Sequence, residues 1–302
     1  MSRRIAILTD DPGWHGARLR EAFELHGCSC EFVSLQECGF DISGAGGGLT
    51  IPGFKTLPDG VFVRGVPGGS LEQVVLYLDI LHALKHLGIC VYNDGHAIER
   101  SVDKGMTSFL LHTAGIPTPP TWVVSQEHEL ASIMKRVFKV GNELVLKPLF
   151  GSQGNGLARI RNAAQLPERE IYNGVYYLQQ FIHTGNEDAH DWRVFVINGE
   201  AVAAMLRRGK GWISNVAQGA QCHPAVLDQE LRELAEAAAN TLDMRYAGVD
   251  ILRDHKGQPF VIEVNSIPAW KGLQQVCQID VTGLLVDDFL TGCRGNKLTE
   301  VI

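Results

Sequence analysis

The chain has 302 residues, a formal net charge of -7, 45% hydrophobic residues and 20% charged residues. That length suffices for two or three compact units with a sizeable core, and the composition is that of a globular protein that folds in water. The acidic balance disfavours a general nucleic-acid or membrane-surface role; no apolar run is long enough to span a bilayer, and the apolar stretch behind Arg3 and Arg4 is too short for a signal peptide.

Over the first hundred residues, strands are expected to alternate with helices. Residues 5–8 read as a buried strand and Asp10-Asp11-Pro12-Gly13 as a turn. A helical pattern then runs through Leu19, Ala22, Phe23 and Leu25 and is ended by Gly27. Residues 31–35 are a second strand. Gly44 to Gly48 is a flexible loop, with the wrong spacing for a dinucleotide fingerprint. A third strand at 59–65 runs into Arg64, 71–87 is helical, and 91–93 is a fourth strand. The alternation implies a small open α/β unit over 1–99. Arg64 stands at the C-terminal end of its strand, where such sheets present ligand contacts. It suits a substrate carboxylate or phosphate, although the residues alone slightly favour a surface ion pair.

A second unit begins near residues 98–104. Its helix passes Met106, Leu110 and Leu111, reaches Gly115 and is stopped by Pro117, Pro119 and Pro120. A strand at 122–124 and a helix at 127–137 follow. The strand at 144–148 carries Lys147 and leads directly into Gly151-Ser152-Gln153-Gly154-Asn155-Gly156. Glycines let backbone N–H groups approach polyanionic phosphate, Ser152 adds a hydroxyl donor, and Lys147 adds positive charge. The lysine precedes the glycines, so this is not a Walker A loop, and the bare pattern also fits a plain hairpin turn.

Residues 176–182 form a further strand, and 191–205 a hairpin turning on Asn198-Gly199, with Arg207, Arg208 and Lys210 behind it. Residues 212–220 are a loop. Asp228 opens a helix with Leu231, Leu234, Ala235, Ala238 and Leu242 along one face. Two apolar strands at 247–253 and 260–265 then flank a turn. Three oxygen-bearing side chains interrupt them: Asp250, Glu263 and Asn265. Alternation puts Glu263 and Asn265 on one face, and antiparallel pairing brings Asp250 roughly opposite Glu263. Two carboxylates and an amide oxygen suit a hard cation such as magnesium; a half-buried hairpin with a solvated polar edge is the bland alternative. A loop and closing helix occupy 272–290.

The seven cysteines are scattered, odd in number and without paired CxxC spacing, so reduced thiols in a cytoplasm are expected rather than disulfides or a zinc site. Cys222-His223 is adjacent, which is poor ligand geometry.

In chain order, Asp103-Lys104, Leu146-Lys147, the glycine loop, Leu178-Gln179-Gln180-Phe181-Ile182, Asp191-Trp192-Arg193, Asn198-Gly199 through Arg207-Arg208, Ala247-Gly248-Val249-Asp250 and Glu263-Val264-Asn265 resemble the ATP-grasp superfamily, and within it the RimK-like α-L-glutamate ligases. The resemblance runs from about residue 60 to 290. It implies an α/β plus α+β architecture: an N-terminal open α/β (pre-ATP-grasp) domain at 1–99, a central α+β subdomain with a phosphate lid at 100–178, and a C-terminal α+β subdomain with the metal site at 179–302. The two subdomains would grip ATP.

The resemblance also implies roles for particular residues. Lys104 and Lys147 hold the nucleotide phosphates, and Gly151, Ser152, Gly154 and Gly156 form the mobile lid. Gln179, Gln180, Phe181 and Ile182 are the hinge that reads adenine through backbone groups; relatives often carry Glu where Gln180 stands. Asp191 approaches the ribose or the site edge. Arg193 and Arg207 face the phosphates and the acyl group, and Asn215 lies close to the reacting centre, so that Lys147, Arg207 and Asn215 are the catalytic set. Asp250, Glu263 and Asn265 hold Mg2+, two ions of it, with Mn2+ able to substitute. Arg207 also contacts substrate, and Arg64, from its place at the strand end rather than from the resemblance, is the other candidate substrate contact.

The implied activity is ATP- and Mg-dependent ligation of a carboxylate to an amine through an acyl phosphate, releasing ADP. The partners are a small-molecule carboxylate acceptor and an amino acid, glutamate first, without nucleic acid or membrane. Relatives form dimers or tetramers, and the oligomeric state stays open. Departures fall on the substrate side. RimK itself has arginine where Ile213 stands and His-Arg-Gly-Gly where this chain has Ala217-Gln218-Gly219-Ala220. The segment Ser266-Ile267-Pro268-Ala269-Trp270-Lys271-Gly272 resembles instead the branch that adds glutamate to tetrahydromethanopterin-type cofactors. A ligase for another amino acid or peptide, and a nucleotide-binding regulatory protein without turnover, are the competing readings.

Overall fold

The computed structural model describes residues 2–43, 48–151, 154–185 and 189–295. The chain divides into two compact units, one of residues 1–99, 244–247 and 266–302, the other of residues 100–243 and 248–265.

The first unit is built on β1 (Arg4–Leu8), α1 (Gly13–Leu25), β2 (Ser29–Val33), a small hairpin of β3 (Gly39–Asp41) and β4 (Gly48–Thr50), β5 (Gly60–Val63), α2 (Leu71–His86) and β6 (Cys90–Tyr92). Its parallel sheet has the order β2-β1-β5-β6. The central strands are apolar over Ile5–Leu8 and Gly60–Val63 because both faces are covered there. On one face Ala6, Leu8, Val61 and Val63 pack against Tyr77, Ile80, Leu81 and Leu84 of α2. On the other, Phe62 meets Phe23 of α1, with Tyr92 and Tyr246 beside it. A serine cap starts α2: the Ser70 hydroxyl accepts from Gln73 N–H and Gln73 returns its side-chain oxygen to Ser70 N–H at 2.9 Å.

The C-terminal stretch belongs to this unit rather than to a subdomain spanning 179–302. It contributes α7 (Lys271–Val276) and α8 (Val281–Gly295). Phe289 of α8 packs on Phe23 and Phe62 at centroid distances of 5.2 and 5.8 Å. The buried Asn93 amide donates to the carbonyls of Tyr246 and Ser266, both at 2.7 Å, and accepts from Arg245 N–H. Aromatic burial and these satisfied polar groups outweigh proximity in sequence. The glycine stretch at 44–47 lies outside the described residues, and Gly48 already belongs to β4.

In α3 (Gly95–Val102) the chain passes into the second unit, which holds two antiparallel sheets. Its elements are α4 (Lys104–Thr113), β7 (Thr121–Val124), α5 (Glu127–Lys139), β8 (Leu144–Lys147), β9 (Ala158–Ile160), β10 (Tyr176–Gln180), β11 (His190–Ile197), β12 (Glu200–Arg208), β13 (Gln221–Pro224), α6 (Gln229–Thr241), β14 (Tyr246–Arg253) and β15 (Pro259–Asn265). Residues 246–247 of β14 group with the first unit. The sheets run β7-β10-β8-β9 and β13-β12-β11-β14-β15. In the first, Leu144, Leu146 and Leu178 pack under Leu130, Ile133, Met134 and Val137 of α5. Alternation therefore turns Val145, Lys147, Tyr177 and Gln179 to the opposite face. In the second, α6 packs on β11, β12 and β15, burying Leu231, Ala235, Ala238 and Ala239. The β11–β12 turn places Asn198 at φ 51° and Gly199 at φ 79°, the left-handed pair that a tight hairpin requires.

Candidate active site

A cavity of about 500 Å³ lies within the second unit, lined from both of its sheets. Of the residues expected at the site, Lys104, Lys147, Gly151, Gly154, Gln179, Gln180, Phe181 and Ile182 line it from the first half. Asp191, Arg207, Asn215, Asp250 and Glu263 line it from the second. Arg193, Gly156 and Asn265 do not reach its wall, Arg64 belongs to the other unit, and Ser152 lies outside the described residues.

The first sheet supplies the lysines. Lys147 ends β8 opposite Tyr177, and its Nζ donates to Gln179 Oε1 at 2.8 Å. Gln179 donates in turn to the Tyr177 hydroxyl at 3.2 Å, which shares a hydrogen bond with Ser108 at 2.8 Å. This relay fixes the Gln179 amide with its oxygen towards the lysine. Lys104, the first residue of α4, donates from Nζ to the Gly151 carbonyl at 2.6 Å. Asp103 caps the same helix, accepting from Gly105 and Met106 N–H at 2.8 and 3.0 Å. Among the described residues neither lysine is in an ion pair. Burial lowers the pKa of both; Glu263 acts against the shift on each, and Lys147 adds to the shift on Lys104.

The glycine loop is the connection of the β8–β9 hairpin, so the hairpin reading and the cavity-lining reading describe one structure. Gly154 has φ 75°, and a Cβ there would sit 2.9 Å from Asn215 Oδ1, so only glycine lets the loop approach Asn215 this closely. Strand β10 stops at Gln180, leaving Phe181 and Ile182 just beyond it. The N–H groups of Gln180 and Phe181 are spent inside the fold, on Pro120 and Glu143 carbonyls, each at 2.8 Å.

The second sheet supplies a buried charge network. Asp191 and Arg193 share a face of β11, and Arg207 stands directly across from Asp191 on β12. Arg207 donates to both Asp191 oxygens at 2.7 and 2.5 Å, and its Nη2 lies 2.8 Å from Asp250. Ser214 Oγ adds a bond to Asp191 at 2.8 Å. Arg193 grips both Asp250 oxygens at 2.6 Å. The Arg207 and Asp191 side chains are each 3% exposed and Asp250 is 2% exposed, so these are desolvated pairs. Burial opposes the charged form of Asp250, and Arg193 and Arg207 nevertheless hold its carboxyl below the usual carboxylate range. Burial likewise acts against the Arg207 cation, and Asp250 and Asp191 more than reverse it.

Asp250 does pair with Glu263 across β14 and β15, as the sequence pattern anticipated. A bulge between Asp250 and Ile251 leaves Ile262 as the extra residue, and both Ile262 and Glu263 face the cavity. Asn265 is less free than expected: its Nδ2 donates to the Gly248 carbonyl at 3.2 Å. Among the described residues no three His, Cys, Asp or Glu side chains gather as a metal cluster. A cation at this corner would depend on oxygens of two carboxylates and one amide, the donor set of a hard ion.

Arg159 was not anticipated. It lies on β9, a strand too short to show periodicity, and its guanidinium stacks 3.7 Å from the Phe181 ring centre while donating to Glu143 at 2.5 and 3.1 Å. Trp212 approaches Phe181 with ring centres 6.3 Å apart. The sequence shows 212–220 only as a loop of mixed polarity, and nothing in it marked Trp212 for this contact.

Comparison with known proteins matches this architecture. A family model described as the RimK-like ATP-grasp domain covers residues 101–289. The chain is 33% identical over 235 residues to the tetrahydromethanopterin:alpha-L-glutamate ligase of Methanococcus maripaludis, covering 76% of this chain and 78% of the relative. It is 32% identical over 306 residues to a probable alpha-L-glutamate ligase of Aliivibrio fischeri, covering 98% of each. Among solved structures, the ATP-grasp ligase PsnB complexed with a phosphomimetic variant of its minimal precursor, Mg and ADP superposes with a TM-score of 0.72 at 19% identity, over 97% of this chain and 99% of that one.

Proposed function

We propose that this chain, which belongs to the RimK-like ATP-grasp family, adds L-glutamate to a carboxylate of a small-molecule acceptor. It is an ATP-dependent carboxylate–amine ligase, and its relatives are named as glutamate ligases. The acceptor class is taken from the relative that acts on tetrahydromethanopterin, and the Ile267 to Gly272 segment supports it on the sequence side. In this reading the reaction takes place in the cytoplasm. No helix among the described residues is long and apolar enough to cross a membrane.

The observation that carries the site assignment is the pair Lys104 and Lys147: two half-buried cations in one cavity, neither in an ion pair among the described residues. Desolvated cations without counterions favour a polyanion. In this reading both lysines hold ATP phosphates, and Gly151 and Gly154 close over them with Ser152 and Gly156. The purine sits at the end of β10. There the Gln180 carbonyl and the Ile182 N–H are the backbone groups left to read it, with Phe181 and Arg159 as its wall. Asp191 fixes the orientation of Arg207, which faces the acyl group with Asn215, while Arg193 acts through Asp250. The oxygen set of Asp250, Glu263 and Asn265 fits Mg2+, two ions of it or Mn2+ in its place, provided Asp250 shares its oxygens with Arg193. When bound, the ion neutralises charge on phosphate oxygens.

The chemistry needs no side-chain nucleophile. A carboxylate oxygen of the acceptor attacks the γ-phosphorus and ADP leaves. The amine of glutamate then attacks the acyl carbon, phosphate leaves, and the amine proton passes to solvent. The chain's part is to position three substrates, hold negative charge at Lys147 and Arg207, and exclude water from the acyl phosphate. Substitution Lys147→Met tests the phosphate assignment: Mg·ADP binding by calorimetry weakens at least tenfold while the melting temperature holds. Unchanged affinity in a folded variant refutes it.

A further inference from the structure

Among the described residues, the first unit contains a cation with no counterion. Arg64 follows β5, and its guanidinium is held rather than loose. Nη1 donates to the Ile267 carbonyl at 3.2 Å, and the Cζ atom stands 5.2 Å from the ring centre of Trp270, which is fully buried. Its Nε is buried without an acceptor, and no carboxylate among the described residues pairs with it. Burial pushes its pKa down, the signature of a guanidinium whose charge is not compensated. A guanidinium has five N–H donors in a planar fork matched to carboxylate, and leaving the buried Nε donor unpaired is costly.

The neighbours are arranged to keep the site positive. His15 Nε2 accepts from the backbone N–H groups of Trp270 and Lys271 at 3.1 and 3.2 Å. That places its proton on Nδ1 and leaves the ring neutral at physiological pH: its pKa falls to about 4 through burial, then through Arg64 and Lys271. The rings of His15 and Trp270 meet edge to face at 4.6 Å, with Trp14 beside both. Of the two acids that follow β1, Asp10 is spent on Ser34 and Gln36, and among the described residues Asp11 makes no ion pair with Arg64.

The position is also the one the topology favours. From β1 the chain goes to β2 on one side, and β5 then lies on the other. The crevice at the carboxyl ends of β1 and β5 is therefore the switch point of the sheet, where open α/β folds bind ligands. Arg64 N–H and Gly65 N–H both bond the Leu8 carbonyl there, at 2.9 and 3.0 Å.

We propose that Arg64, with Lys271 and the neutral His15 beside Trp14, forms a carboxylate-binding site that holds a non-reacting carboxylate of one of the two organic substrates. The assignment to a substrate rests on the ligase reading; the site itself does not. The carboxylate belongs either to the incoming amino acid or to the acceptor, and the experiment separates them.

The intact protein is titrated with acetate, glutarate and L-glutamate, following tryptophan fluorescence, as wild type and as Arg64→Met, Arg64→Lys and Lys271→Gln. A saturable response to at least one carboxylate is expected, tenfold or more weaker in Arg64→Met and about threefold weaker in Lys271→Gln, with Arg64→Lys between wild type and Arg64→Met. No saturable response, or equal affinities in wild type and the two charge-removing variants, overturns the site. Lys271 is exposed, so its variant serves if Arg64→Met fails to fold. Steady-state kinetics then name the source: KM for glutamate or KM for the acceptor rises at least tenfold in the Arg64 variant, while KM for ATP is unchanged. If carboxylates bind through Arg64 but no ligation product forms with any acceptor, the ligase reading fails and the site stands. If product forms with wild-type KM values in the variant, the site fails and the ligase stands.

Discussion

Removing Arg207 should expose how costly its two buried partners are without it. In Arg207→Met the guanidinium that donates to both Asp191 oxygens, at 2.7 and 2.5 Å, is gone, and among the described residues Asp191 keeps the Ser214 hydroxyl. Asp250 keeps Arg193. Asp191 is 3% exposed, so water does not replace the lost partner. Breaking a buried pair by removing one member costs about 3–5 kcal/mol, most of it the penalty of the stranded charge. For a domain of this size class that lowers the melting temperature by roughly 2–4 °C per kcal/mol. The double variant Asp191→Asn/Arg207→Met removes the stranded charge as well. It should be more stable than Arg207→Met alone, with a coupling of roughly 0.5–3 kcal/mol between the sites. Urea unfolding followed by circular dichroism, on wild type, both singles and the double, closes the cycle. If Arg207→Met costs less than about 1 kcal/mol, as exposed pairs do, or if the double is no more stable than that single, the pair is not a desolvated structural unit.

Glu263→Ala, half-buried opposite Asp250, should abolish ATP turnover with the fold intact by circular dichroism; normal turnover in the folded variant removes Glu263 from the metal assignment. Chelation should stop turnover and added Mg2+ restore it; full activity in excess chelator contradicts the cation requirement. Gly209→Ala would put a Cβ 1.8 Å from the Ile213 carbonyl oxygen, so the loop at 211–220 must shift and turnover should fall tenfold or more. An unchanged rate means the loop accommodates the methyl. Asp228 caps α6 through Leu231 N–H at 2.9 Å and bonds Arg253 at 2.8 Å. Its partial burial acts against ionisation, but these partners hold its carboxyl below the usual range. Asp228→Ala should therefore cost about 1 kcal/mol at pH 7. Because the folded pKa is depressed, that difference is present above the unfolded pKa of about 3.9 and vanishes as pH falls through the folded value. A difference that does not diminish as pH falls through the acid range refutes the charged-cap account.

Strong local signals carried well into three dimensions. The Asn198-Gly199 hairpin, the β14–β15 pairing and the Asp228 cap each depend on a few adjacent residues whose chemistry admits one arrangement. What sequence did not reveal is set by distant contacts. The placement of 266–295 follows from Phe289 finding Phe23 and Phe62, and from Asn93 bridging Tyr246 and Ser266. The short strands β3, β4, β9 and β13 have too few residues for a period-2 pattern. At the site, Lys147 and the glycines were visible because strand, lysine and loop are contiguous. Arg159 was hidden because its role arises only when β9 folds back beside Phe181. Sequence spacing suggested three metal ligands in one group, and it could not foresee that Arg193 would hold Asp250 or that Asn265 would bond Gly248.

The central claim is that ATP drives amide formation between an acceptor carboxylate and glutamate. Purified protein incubated with Mg2+, ATP, L-glutamate and a panel of carboxylate acceptors, with nucleotide products and product masses followed together, tests it directly. The account predicts ADP and phosphate release that depends on both organic substrates, with a mass gain of one or more glutamate residues on one acceptor. AMP release, or a mass gain from a different amino acid in a competition mixture, would contradict it.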